Sequence, residues 1–116
     1  MSKTIFLDID GVIFEHLGNL HVQITHDLKL LNGVLEKFHE WDLEGYRIIL
    51  ITGRRESARK ITEKQLSNAG IFYDKLIMGL GRGDRIIIND TKPDSDRPTA
   101  FAFSPIRNNG IKDIKI

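Results

Sequence analysis

The sequence predicts a doubly wound α/β domain, a three-layer arrangement in which a parallel sheet is covered by helices on both faces. Three observations carry this. Apolar runs at residues 4–9, 47–51, 75–78 and 85–88 are continuous rather than alternating, as parallel strands buried on both sides should be. Helix-forming segments fall between the first three runs, so the order is strand, helix, strand, helix, strand. At 116 residues, the chain is long enough for one core and too short for a second, so residues 1–116 form a single domain.

The first strand, 4–9, ends at an acidic pair. Residues 13–26 interrupt the alternation: Gly18-Asn19, between Ile13-Phe14 and Leu20-His21-Val22, reads as the turn of a small hairpin flap overhanging that pair. Leu28, Leu31, Leu35 and Phe38 then recur at helical spacing, from a start near Thr25 or Asp27 to a stop at Gly45. The second strand, 47–51, is followed by helix-forming residues 57–69 and by Gly70. Residues 75–78 and 85–88 supply the third and fourth strands, and 99–103 a fifth. Asn108-Asn109-Gly110 marks a turn, and the last six residues carry no clear signal. There is no internal repeat, low-complexity tract or linker.

Seventeen basic and sixteen acidic residues, mixed along the chain, leave a formal charge of +1. Neither nucleic acid nor an anionic membrane is expected as a partner on that basis. The clustered Arg54-Arg55 and Arg82/Arg85 read instead as local anion sites. Absence of cysteine excludes disulfides and thiolate metal sites. The chain passes from Met1-Ser2-Lys3 into an apolar run too short for a signal segment, and no stretch has transmembrane length, so a cytoplasmic location is expected. His16, His21 and His26 recur at intervals of five, which neither helix nor strand spacing brings to one face; they read as surface or interface residues.

The chemistry lies at the strand ends. Asp8 and Asp10 share a face if the strand continues, and would repel one another unless a proton or cation lies between them. A divalent metal resolves that conflict; a simple turn before Gly11 is the plainer alternative. Strand two ends in Thr52-Gly53-Arg54 and strand four in Asn89-Asp90-Thr91-Lys92. Singly these could be a helix N-cap and a β-turn before Pro93. Ligands of open α/β sheets bind at the carboxyl ends of the strands, and together these termini have the composition of a magnesium and phosphoryl site.

These motifs, Leu7-Asp8-Ile9-Asp10-Gly11-Val12, Ile49-Leu50-Ile51-Thr52-Gly53-Arg54 and Ile86-Ile87-Ile88-Asn89-Asp90, resemble those of the haloacid dehalogenase superfamily and span about four fifths of the chain. The resemblance implies a Rossmannoid phosphatase with the flap in place of a cap. It makes Asp8 the nucleophile that forms an aspartyl phosphate, and Asp10 the acid and then base. Mg2+ would be held by Asp8, Asp90 and the main-chain carbonyl of Asp10, with Asn89 alongside. Thr52 and the amides of Gly11 and Gly53 would bind phosphoryl oxygens, with Arg54 and Lys92 near the substrate. The lysine expected ahead of the acidic motif is missing, and Arg82 between Gly81 and Gly83 is its nearest substitute. An acid at position 10 favours phosphate esters, and the small size resembles minimally capped phosphatases of sugar-phosphate and capsule metabolism. The implied partner is a small phosphorylated substrate, with a homo-oligomer formed through the 13–26 hairpin. Two other readings compete. A receiver domain is disfavoured because its phosphoacceptor Asp should end the third strand, where this chain has Met78-Gly79. An inactive phosphate-binding scaffold is the other.

Overall fold

The computed structural model describes residues 2–116. Strand β1 (Thr4–Asp8) leads through a compact turn to helix α1 (Leu20–Thr25) and helix α2 (Val34–Leu43). Strand β2 (Arg47–Ile51), a 3-10 turn at Glu56–Ala58, helix α3 (Arg59–Asn68) and strand β3 (Lys75–Ile77) follow. The strands form one parallel sheet in the order β1-β2-β3. The register pairs Leu7 with Leu50 and Leu50 with Leu76, while Asp8 lies beside Ile51 and Ile51 beside Ile77.

That register sorts the sheet into two faces, because residues in register in a parallel sheet point the same way and alternate along each strand. Ile5, Leu7, Ile48, Leu50 and Leu76 share one face and belong to the core with Val34, Phe38 and Trp41 of α2 and Leu66 of α3. Phe38 and Trp41 pack with ring centroids 5.6 Å apart. Phe6, Ile49, Ile51 and Ile77 share the other face, where Ile49 on the central strand is buried, Ile51 is partly covered, and Phe6 and Ile77 on the flanking strands are exposed. Both long helices therefore cover the same side. This is what two right-handed crossovers stepping in the same direction across a sheet require.

The parallel α/β framework matches the sequence reading; the doubly wound, three-layer arrangement does not form among the described residues. Residues 85–88 and 99–103 are not strands, and every residue from 79 to 98 is exposed. Among the described residues, 82–91 make no backbone–backbone hydrogen bond. The run Ile86-Ile87-Ile88 has strand-forming side chains, but a strand exists only when it finds an edge to pair with.

The 13–26 hairpin is also replaced. The Asn19 side chain accepts a hydrogen bond from the Val22 amide at 3.1 Å and so caps α1 instead of turning a ribbon. Residues 13–15 pair instead with 29–31, through Leu31 N–H to Ile13 O and Glu15 N–H to Lys29 O. Leu28 and Leu31 are thus drawn out of the expected long helix, and α2 starts only after Gly33. Gly33 holds φ +82°, and a β-carbon there would lie 2.5 Å from Lys112 Cα. The carboxyl-terminal residues are anchored at this point. Ile111 is buried and donates its amide to Asn32 O.

Candidate functional site

The carboxyl end of β1 brings Asp8 level with Ile51, so the chain emerging from β2 runs directly beside it. A tight turn follows: Ile9 O accepts from the amides of Val12, Ile13 and Phe14, and Gly11, at φ +93°, donates its amide to Phe14 O at 2.7 Å. The turn fixes two carboxylates in quite different settings.

Asp10 is held on both oxygens. Arg54 Nε donates to Oδ2 and Arg54 Nη2 to Oδ1, each at 2.8 Å, and Gln23 Nε2 donates to Oδ1 at 2.7 Å. The Arg54 side chain is 2% exposed, and its remaining nitrogen donates to Thr62 Oγ1 and Gln65 Oε1. The planar fork of arginine suits this two-point pairing. Gln23 is fully engaged too. It donates to Glu15 O and accepts from the amides of Leu17 and Gly18, and Gln65 donates to its carbonyl. One polar network thus fastens α1, the β1 turn, the end of β2 and α3 to each other.

Asp8 has no such cation. Its Oδ1 accepts from the Ile9 amide at 2.9 Å. Desolvation by the packed atoms around it raises its pKa above the ordinary carboxylate value; the Ile9 amide opposes the rise, Asp10 adds to it, and Arg85 and His16 lower it. Arg85 makes no ion pair with Asp8 among the described residues; two of its guanidinium nitrogens donate to the carbonyls of Gly83 and Gly81. Arg82 is exposed in the turn before it. That turn is seated on the end of β2: Leu80 donates to Thr52 O, Gly79 donates to Arg54 O, and a β-carbon on Gly53 would lie 2.6 Å from Gly81 O.

The structure thus brings together Asp8, Asp10, Gly11, Thr52, Gly53 and Arg54, and leaves Arg82, Asn89, Asp90 and Lys92 on the exposed segment. Several expected tasks change accordingly. Arg54 binds Asp10 where it was expected beside a substrate. Thr52 is buried with its hydroxyl accepting from the Arg54 amide, and the Gly11 amide is committed to Phe14, whereas the Gly53 amide has no partner among the described residues. Asn89 donates to Thr99 Oγ1, whose hydroxyl in turn bonds Asp90 O. Among the described residues no three His, Asp or Glu side chains are gathered closely enough to hold a metal ion. The expected set of Asp8, Asp10, Asp90 and Asn89 is therefore not assembled. The physical reason is that the run 85–88 does not pair with the free edge of β1, so nothing brings its end to Asp8.

Three participants escaped the sequence reading. Gln23 looked like part of a ribbon. Arg107 and Asn108 lie in a terminal turn, yet the Arg107 stem packs on Gly11, and Asn108 donates its amide to Gly11 O. The Asn108 side chain also bonds both the amide and the carbonyl of His16. Only the Asn-Asn-Gly turn signal was available to find them.

Comparison with known proteins supports the same framework. No family model matches the chain. An uncharacterized protein of Methanocaldococcus jannaschii is 37% identical over 57 residues, 49% of this chain, which spans only 58% of that relative's length. Two structures of the Pnkp1/Rnl/Hen1 complex, described in one case as an RNA repair complex, each contain a similar chain. One matches with TM-score 0.61 and 26% identity over 72% of this chain and 31% of that one. The other gives 0.57 and 27% over 82% and 28%. A Vibrio cholerae crystal structure shares the fold at TM-score 0.51 and 17% identity over 75% of this chain and 79% of that one. Among the described residues no helix is long and apolar enough to cross a membrane.

Proposed function

We propose that this chain is a phosphomonoesterase of the haloacid dehalogenase type, with Asp8 as the nucleophile. The observation that carries it is the asymmetry of the acidic pair: two carboxylates leave one strand end, one locked by Arg54 and Gln23, the other without a side-chain partner among the described residues. A free carboxylate oxygen can attack phosphorus, displace the ester oxygen and leave an aspartyl phosphate for water to hydrolyse. The Gly53 amide would supply a fixed donor for a phosphoryl oxygen. Asp10 protonates the leaving oxygen only if Arg54 moves aside, since both of its oxygens already accept from fixed donors. As arranged, its role is to hold helix α1 through Gln23.

Magnesium is the ion the resemblance implies. The donor set as it stands does not fit that ion, because Asp8 is a single free carboxylate and Asp90 is not gathered beside it; no step is routed through the metal. The substrate class we favour is a small phosphorylated metabolite such as a sugar phosphate, in keeping with the balanced charge. The likeness to chains of an RNA repair complex makes a terminally phosphorylated oligoribonucleotide the second substrate to try. Hydrolysis of p-nitrophenyl phosphate, a sugar phosphate and such an oligonucleotide, with and without magnesium, tests the reading. Activity that falls to background in Asp8→Asn, with the fold retained by circular dichroism, is the expected result. Unchanged turnover in that variant removes Asp8 from the chemistry. Phosphate binding without hydrolysis by the wild type selects the scaffold reading, which the engagement of Asp10 by Arg54 favours.

A further inference from the structure

The accessible surface is 8209 Å², whereas a compact monomer of this mass exposes about 6,400 Å², so roughly 1,800 Å² is in excess. The radius of gyration is 14.8 Å, with extents of 50 × 28 × 25 Å; a compact domain of this length has about 13.4 Å. The excess has a definite place and composition. Residues 79–98 are exposed throughout, and Ile86 and Ile88 are 82% and 95% exposed. Phe101, Phe103 and Ile106 continue the apolar content of this arm. Facing the same side, Phe6 and Ile77 on the sheet are 48% and 41% exposed. Phe6, Ile51, Leu80, Ile86 and Ile87 line a cleft of about 360 Å³ between sheet and arm.

We propose that the exposed flanks of this sheet face and the 85–106 arm are the two halves of a homodimer interface, the arm of each copy lying on the sheet face of the other. One copy carries both halves, which is what a two-fold, self-complementary interface needs. Within a copy, the arm borders this face at Leu80, Ile86 and Ile87 but leaves Phe6 and Ile77 exposed, and it is tied at both ends. At its start, Leu80 and Gly79 bond the end of β2 and Arg85 bonds Gly81 and Gly83. At its end, Asn108 bonds Gly11 and Ile111 bonds Asn32. The backbone of Ile86-Ile87-Ile88 is unpaired, and β1 is an edge strand with a free side, so a second copy also offers the hydrogen bonds the run lacks. A net charge of +1 sets no repulsive barrier. Two copies each hiding the excess would bury on the order of 3,500 Å² in total, within the range of obligate homodimers. This interface differs from the one expected through residues 13–26, whose Ile13 and Phe14 are core residues.

The proposal does not rest on the phosphatase reading, and its test reads mass and cross-links without reference to turnover. Sedimentation of the full chain at micromolar concentration is expected to give twice the chain mass. Ile88→Asp, at a position with almost no contact inside the chain, is expected to raise the dimer dissociation constant about tenfold or more with unchanged circular dichroism. The chain has no cysteine, so disulfide trapping is unambiguous. Mixing a chain carrying Phe6→Cys with one carrying Ile88→Cys is expected to give a mixed disulfide at twice the mass. A monomer at 100 µM overturns the proposal. So does a dimer indifferent to Ile88→Asp, or a Phe6→Cys/Ile88→Cys double variant that closes only within its own chain.

Discussion

The two faces of the sheet are built from the same three strands and the same kinds of side chain, yet they end differently. Leu7, Leu50 and Leu76 lie under α2 and α3 in a closed core, and the strand ends above them are fastened by Arg54 and Gln23. Phe6 and Ile77 lie one residue away on the opposite face and stay half in solvent. The difference is one of available partners. Each helix that covers the first face is a crossover between neighbouring strands, so the covalent path delivers it there. Among the described residues no crossover passes over the second face, and the segment that borders it at Leu80, Ile86 and Ile87 is anchored at its ends. Asp8 shares the open face with Phe6, so the free carboxylate and the uncovered apolar surface are neighbours by strand alternation.

The closed side should respond most strongly to mutation. Arg54→Ala leaves the Asp10 carboxylate, with a side chain 14% exposed, without its cation; the expected loss is about 3–5 kcal/mol of stability in urea denaturation. A loss below about 1 kcal/mol would mean that the pair is as replaceable as a surface ion pair.

Next in size is a direct contrast between faces. Leu50→Ala, at a fully buried position, should cost about 2–5 kcal/mol. Ile77→Ala on the open face should cost about 1 kcal/mol or less when measured in dilute solution, because much of that side chain is already hydrated. Equal costs at low concentration would show that the open face is covered within the monomer. A cost for Ile77→Ala that grows with protein concentration would sharpen the contrast in favour of the dimer.

The smallest effect concerns Asp8 and has a definite sign. Its folded-state pKa is raised by desolvation, so the folded protein resists its ionisation. As pH climbs from the ordinary value of 3.8 through the raised one, the unfolded chain ionises first and stability falls. Asp8→Asn removes that penalty. Its melting temperature should exceed that of the wild type at neutral pH, and the gap should close as pH drops below 3.8. A gap that is constant with pH, or that widens in acid, would contradict the desolvated setting of Asp8.

How far the site was legible follows from the range of each interaction. Asp8 and Asp10 were recognisable because an apolar run stopped at them, and the structure ends β1 at Asp8. Helix α3 and its stop at Gly70 were legible because composition and a glycine at φ +76° act within a few residues. Asn19 suits a turn, yet the same residue type also caps helices, and only the Val22 amide above it distinguishes the two. Arg54 was recognised as part of the site, but its partner Asp10 is 44 residues away. Nothing in Thr52-Gly53-Arg54 alone distinguishes an arginine that waits for phosphate from one that is already paired.

The amino-acid sequence by itself pointed to strands β1, β2 and β3, to helix α3 and to the polar residues at the strand ends, while the same kind of signal at 85–88 and 99–103 gave no strand. Apolar runs, breakers and helix-forming composition acted locally at residues 4–8, 47–51, 59–70 and 75–77, where neighbouring segments were close enough in the chain to pair and pack. Tertiary structure alone decided that Arg54 and Gln23 claim Asp10, that residues 107–111 return to Gly11 and Asn32, and that both long helices cover one face. It also decided that Ile86-Ile87-Ile88 stays unpaired. An apolar run becomes a strand, and a carboxylate becomes free or bound, only through a partner that sequence distance does not specify. That choice depends on which edges, faces and charges the folded chain has already used.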